Sequence, residues 1–241
     1  MENAKIWSKE DFEDKSHRPL DSYHKKPDMD YGEQFQKLFR LMAQTDKRLL
    51  ITGKAGTGKS TLLKYFLEHS DKSVVALAPT GLAAVSIGGQ TIHKFFGFPP
   101  ALLDESKVKK RGNSKIYKAI NAIVIDEVSM VRADVFDAMD LFMRMHGKHK
   151  NKPFGGVQLM LFGDLFQLPP VVRDDEKPLF QRWFKSPYFF DAKCFKNCAF
   201  QTIELTEVFR QKEKMFIEVL DKIRQGKVSH HDLSLINARV G

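Results

Sequence analysis

Apolar positions along the chain alternate between two periods. Phe35, Leu38, Phe39 and Met42 recur at i, i+3, i+4 and i+7, the stripe of an amphipathic helix. Next comes Leu49-Leu50-Ile51, an unbroken apolar run that reads as a buried strand, and the same kind of run returns at Val74 to Ala78 and Ala122 to Ile125, with strand-like segments at Val157 to Phe162, interrupted by Gln158, and at Ile203 to Leu205, interrupted by Glu204. Helical spacing reappears in Val135, Phe136, Met139, Phe142 and Met143, and once more in Met215, Phe216, Val219, Leu220 and Ile223. Strands of this kind alternating with helices predict βαβ units with right-handed crossovers, an α/β domain around a mostly parallel sheet. Residues 1–30 show no period and read as a flexible or loosely docked arm, which leaves 31–241 as the folded domain.

A parallel sheet of this type gathers ligands at the carboxyl ends of its strands. Gly53, Thr80, Asp126 and Asp164 each lie just past such an end, so four separate segments are expected to converge on one pocket. The first of them, Gly53-Lys54-Ala55-Gly56-Thr57-Gly58-Lys59-Ser60, fits G-x-x-x-x-G-K-[ST] at every position. Its glycines let the backbone turn N–H groups inward around an anion, and the following helix adds its positive end. Gly53, Ala55, Gly56, Thr57, Gly58, Lys59, Ser60 and Thr61 therefore form the expected triphosphate cradle, with Lys59 reaching the β/γ-phosphates and Ser60 holding Mg²⁺.

Ile123-Val124-Ile125 delivers two carboxylates to its tip: Asp126 suits a role in holding the metal and Glu127 that of general base. Acidic pairs after strands are often plain turn residues, but here they follow a phosphate loop. In Gly163-Asp164-Leu165-Phe166-Gln167-Leu168-Pro169-Pro170 the amide of Gln167 is the candidate γ-phosphate sensor, against a loop glutamine bonding its own backbone.

Composition narrows the setting. With 42% hydrophobic residues, no apolar run near the ~20 needed to cross a bilayer, a charged first segment and two cysteines, the chain reads as soluble and intracellular, cytoplasmic and nucleoid-associated in a bacterium. Cys194 and Cys198 read as reduced and structural, His230-His231-Asp232 as an exposed turn, and Phe95 and Phe96 as core. The formal charge of +9 admits either a polyanionic partner or a solvated basic surface, and two stretches, Lys107 to Lys118 and Arg144 to Lys152, hold basic clusters.

The segments GKAGTGKS, APTGLAAVSIGGQTIHKFF, IDEVSMV, PFGGVQLMLFGDLFQLPP and LTEVFRQ, in this order, resemble motifs I, Ia, II, III and IV of superfamily-one DNA helicases, and within them the petite-integration-frequency (PIF) family. The resemblance spans roughly residues 33 to 240. It implies a RecA-like P-loop NTPase motor domain of three layers that uses ATP and Mg²⁺ to move 5′ to 3′ on single-stranded DNA and open a duplex fork, as a monomer. It also implies that Arg210 stabilises the transferring phosphoryl group and that an upstream glutamine, Gln34 or Gln36, reads adenine; the Glu33-Gln34 pair favours Gln34. Thr80, Gly81, Ala83, Thr91 and His93 match the segment that contacts single-stranded DNA, with His93 equally readable as a packed neighbour. Motifs V and VI of a second RecA-like domain do not occur before Gly241, so this chain by itself is expected to hydrolyse ATP slowly and not to unwind DNA. Two other readings stand beside this one, a nucleotide-binding regulatory module and another DNA-associated P-loop ATPase. The first has no need of the full set Glu127, Gln167 and Arg210; the second calls for a helical lid where this chain has GDLFQLPP and VFRQ.

Overall fold

The structure is a computed structural model that describes residues 32–54, 56–112, 114–206, 218–219, 222–223 and 226–238. In chain order the main elements are α1 (Gly32–Gln44), β1 (Arg48–Gly53), α2 (Lys59–His69), β2 (Val74–Ala78), α3 (Gly81–Ser86), β3 (Gln90–Thr91), α4 (Ile92–Phe96), α5 (Lys115–Ala119), β4 (Ala122–Ile125), α6 (Ala133–His146), β5 (Gln158–Phe162), α7 (Lys177–Trp183), β6 (Phe200–Leu205) and α8 (His230–Asn237). The strands form one sheet in the order β3-β2-β4-β5-β1-β6, and every pairing is parallel. No helix among the described residues is long and apolar enough to cross a membrane.

The unbroken apolar strands are explained by two buried faces. Leu49 and Ile51, Ala122 and Val124, and Met160 and Phe162 point to one side, where α1, α2 and α3 supply Phe35, Leu38, Met42, Leu62, Leu63, Phe66 and Ala84. Their neighbours Leu50, Ile123, Ile125, Leu159 and Leu161 point to the other, against α4, α5, α6 and α7. Side chains alternate along a strand, so only a sequence apolar at both parities fills both layers of the sandwich. Phe96, Phe98, Tyr117 and Phe142 pack edge-on or stacked beneath α4 and α5, and Phe95 leans on Phe96, so these rings are core.

Short elements escaped the periodicity because capping, not an apolar stripe, makes them. Thr80 accepts the Ala83 N–H at 3.3 Å to start α3, and Thr91 accepts the Lys94 N–H at 3.2 Å to start α4. Between them Gly89 passes against β2, where a Cβ would sit 2.3 Å from the Ala76 carbonyl oxygen. Gly89→Ala is therefore expected to cost about 1–3 kcal/mol in urea unfolding, since only backbone movement relieves the overlap. Gly81→Ala, where a Cβ meets nothing within 4 Å, is the control and is expected to change stability by less than about 0.5 kcal/mol.

Three expectations change. The last strand starts at Phe200 rather than Ile203, since all six of its residues pair with β1. His230-His231-Asp232 is the first turn of α8, where Ser229 and Asp232 form a capping box and Asp232 also pairs with Lys222 at 2.7 Å. In the stripe predicted over 215–223, Met215, Phe216 and Leu220 lie outside the described residues; Val219 is buried, but Ile223 is exposed. Cys194 and Cys198 are free, buried thiols, as expected.

Candidate active site

Strand order decides what can meet. β5 separates β1 from β4, so the tips of β1 and β4 stand about 10 Å apart at the usual strand spacing, with the tip of β5 between them. Gly163 extends that pairing by donating its N–H to the Ile51 carbonyl at 3.2 Å, and Asp126 does the same toward Leu77 at 2.9 Å. The phosphate-loop candidates, the Asp126-Glu127 pair and Gly163-Asp164 thus share one edge, and Thr80 opens α3 past the end of β2 on the same edge.

The loop after β1 is closed by its own polar groups. Gly53 has φ +154°, and a Cβ there would lie 2.6 Å from the Leu205 carbonyl oxygen and 2.8 Å from Thr57 Oγ1. Thr57 is buried and donates its hydroxyl to the Lys54 carbonyl at 2.9 Å. Lys59 Nζ donates to the Gly53 carbonyl at 2.6 Å and the Lys54 carbonyl at 3.0 Å, which holds the ammonium over the mouth of the loop. Gly58, at φ +84°, turns the chain into α2, whose first backbone bond runs from Leu62 N–H to the Gly58 carbonyl at 2.8 Å. The N–H groups of Lys59, Ser60 and Thr61 precede that bond and belong to the positive end of the helix. Ala55 lies outside the described residues.

Across the gap, Asp126 is buried and its Oδ1 accepts the Glu127 N–H at 3.0 Å. Burial raises the Asp126 carboxyl above its ordinary range, opposed by that hydrogen bond and by the Lys59 charge. Glu127 sits in the left-handed region at φ +52°, a conformation that costs a non-glycine residue energy. Burial raises its carboxyl too, the Asp126 and Asp164 charges add to the rise, and Lys59 opposes it. One cation therefore serves two crowded carboxylates.

Asp164, one of the four residues expected just past a strand end, adds a third carboxylate to this edge. It is buried, accepts the Phe166 N–H at 3.1 Å and turns the chain so that Gln167 N–H meets its carbonyl at 3.0 Å. The signal was present: an acid directly after a buried strand, as at Asp126. Gln167 itself is exposed on this loop. Gln34 donates its Nε2 to the Glu204 carbonyl at 2.9 Å, next to the start of the loop because Glu204 pairs with Thr52. Arg210 lies outside the described residues.

Among the motif Ia residues, Gly81 is exposed and Ala83 half-buried at the start of α3, while the Thr80 and Thr91 oxygens accept cap bonds and keep their protons for donation. His93 is half-buried; burial and then the Arg132 charge lower its pKa against the opposing Asp134 charge, so the neutral ring is favoured. Arg132 belongs to a network with no sequence signature. It grips Asp134 through two nitrogens at 2.8 and 2.5 Å and Glu176 at 2.9 Å, while those carboxylates accept the Leu103 and Leu102 N–H groups. A cavity of about 450 Å³ lies along α6, lined by Asp104, Glu105, Asp134, Asp137 and Asp140 among others; the three carboxylates from α6 are committed to the backbone N–H groups of Leu103, Cys194 and Phe154.

Residues 33–234 match the family model of the PIF1-like helicases. The chain is 40% identical over 186 residues to the human ATP-dependent DNA helicase PIF1, covering 75% of this chain and 28% of that protein. It is 37% identical over 198 residues to the PIF1 of Saccharomyces cerevisiae, covering 78% of this chain and 22% of that one. Among solved structures, a Bacteroides Pif1 bound to single-stranded DNA superposes with a TM-score of 0.79 at 39% identity, over 86% of this chain and 49% of that chain. The same helicase in complex with ADP-AlF3 and single-stranded DNA gives 0.79 at 40%, with the same coverage. This chain spans under a third of the curated relatives and about half of the solved chains; on the family match and these identities, it belongs to the PIF1-like helicases.

Proposed function

We propose that residues 31–241 form a motor domain that binds ATP with Mg²⁺ at Gly53–Thr61 and single-stranded DNA along the neighbouring edge of the sheet. In the complete protein, with a second RecA-like domain, hydrolysis then drives 5′-to-3′ movement and opening of a duplex fork in replication, repair or recombination. The observation that carries this reading is the convergence of the Gly53–Thr61 loop, the Asp126-Glu127 pair and Asp164 at the adjacent carboxyl ends of β1, β4 and β5. The relatives support it by what they are named for, DNA helicases dependent on ATP, and one by its complex with ADP-AlF3 and DNA.

In this reading Lys59 and the N–H groups of Gly56 to Thr61 hold the phosphates, and the Ser60 hydroxyl and Asp126 carboxylate offer the oxygen donors a hard divalent cation takes. A Mg²⁺ ion held by those oxygens would supply charge neutralisation for the phosphates. Glu127 accepts the proton of the attacking water, and its raised pKa brings its basicity nearer the operating pH. Gln167 orients on the γ-phosphate, Arg210 stabilises the transferring group and Gln34 reads adenine. Thr80, Gly81, Ala83, Thr91 and His93 lie against DNA phosphate or sugar, with the Thr80 and Thr91 hydroxyls free to donate, contacts that position a strand without reading its sequence.

Titration of the 241-residue chain with a fluorescent ATP analogue, with Mg²⁺ and then with EDTA, tests the nucleotide half. Saturable binding that weakens at least tenfold on chelation is expected; no binding at millimolar analogue overturns it.

A further inference from the structure

The two basic stretches of the sequence meet in space. The Arg111 N–H donates to His146 Nε2 at 2.8 Å, and the Tyr117 ring lies 5.4 Å from the His146 ring, so the 107–118 segment is docked on the last turn of α6, directly before 148–152. The Arg111 guanidinium also lies over Gly97 at the end of α4, which extends the same face along the flank of the domain. Segment 107–118 leads into β4 and segment 144–152 toward β5, two strands paired through Ala122 and Gln158. Both therefore reach the amino edge of the sheet, about 13 Å of strand away from the Asp126 edge.

This face holds the excess charge of the protein. Residues 107–118 carry six Lys or Arg and residues 144–152 four, with no acid in either, which leaves 29 basic against 30 acidic residues in the rest of the chain. Lys107 pairs with Asp104 and Arg144 with Asp140; among the described residues, Lys109, Lys110, Arg111, Lys118, Lys148 and Lys150 are exposed and take part in no ion pair. Cations gathered this way repel one another and gain from a polyanion that replaces its counterions with them. The Phe96, Phe98, Tyr117 and Phe142 rings beneath them are buried, so apart from the exposed His149 imidazole the face offers phosphates cations but offers bases no ring to stack on. Single strands are held largely by such stacking, whereas a duplex keeps its bases inside and presents phosphate.

We propose that this face binds the phosphate backbone of duplex DNA, through lysines outside the residues proposed to hold the single strand. The choice of DNA rests on the motor reading above. In the test, the 241-residue chain and its Lys109→Ala/Lys110→Ala/Lys148→Ala/Lys150→Ala variant are titrated against a blunt 30-base-pair DNA duplex, a dT30 strand, duplex RNA and phosphatidylserine vesicles over a range of salt. The variant is expected to lose at least tenfold in duplex affinity at 100 mM salt, with its log–log salt slope smaller by about 3–4, while dT30 and nucleotide binding stay within twofold. Unchanged duplex affinity, an equal loss on dT30, or wild-type preference for duplex RNA or vesicles overturns the proposal. Failure of the motor reading shows separately, as wild-type chain that binds neither nucleotide nor dT30.

Discussion

Glu127→Gln is expected to leave ATP affinity within about threefold while lowering turnover by about 10²–10⁴-fold, the range associated with losing a positioned general base. The amide keeps the size and the left-handed backbone of Glu127 but has no lone pair basic enough to take a proton from water. Single-turnover hydrolysis in the complete protein, with single-stranded DNA present, measures the chemical step; unaltered hydrolysis removes Glu127 from the base role. The same substitution carries a stability signature. Burial and the neighbouring Asp126 and Asp164 charges raise the folded-state carboxyl above its unfolded value. The folded chain thus holds the proton more tightly, and the wild type loses stability as pH rises from about 4 through the raised value. Gln does not titrate, so the variant should melt on the order of 1–3 °C higher at pH 7, with the difference fading below pH 4, where both carboxyl forms are neutral.

Lys59→Ala has the second large effect, on binding. The ammonium that donates to the Gly53 and Lys54 carbonyls is the cation nearest the expected phosphates, and a charge-assisted hydrogen bond contributes about 1.5–3 kcal/mol, so the dissociation constant for ATP should rise about 10–150-fold. Fluorescent-nucleotide titration reads this directly. Its loss also leaves Asp126 and Glu127 without their opposing charge, so the pH at which the Lys59→Ala chain loses stability should shift upward with them. If Lys59→Ala melts earlier yet binds ATP as tightly as before, the ammonium is a strut of the loop and not a phosphate ligand.

Sequence alone was enough for the strand cores and for α1 and α6, because a strand buried on both faces must be apolar at both parities and a core helix must carry a stripe. It was enough for the turn of the Gly53–Lys59 loop into α2 as well, since glycine spacing there is a local property of one turn. The resemblance of five ordered segments set the family, and the comparisons agree. Elements held by a cap or a single pairing, such as β3, α4 and the start of β6, have no period of their own and were not legible. Nor was the role of Asp164, because its effect on Glu127 depends on β5 standing between β1 and β4. Arg132, Asp134 and Glu176 carry no signature in the sequence, and only folding brings Arg132 and Glu176, 44 positions apart, within 2.9 Å. The two lysine-rich stretches read as separate loops; contact through His146 makes them one face. Strand order and long-range electrostatics come from which elements pack together, and no local window of residues carries that information.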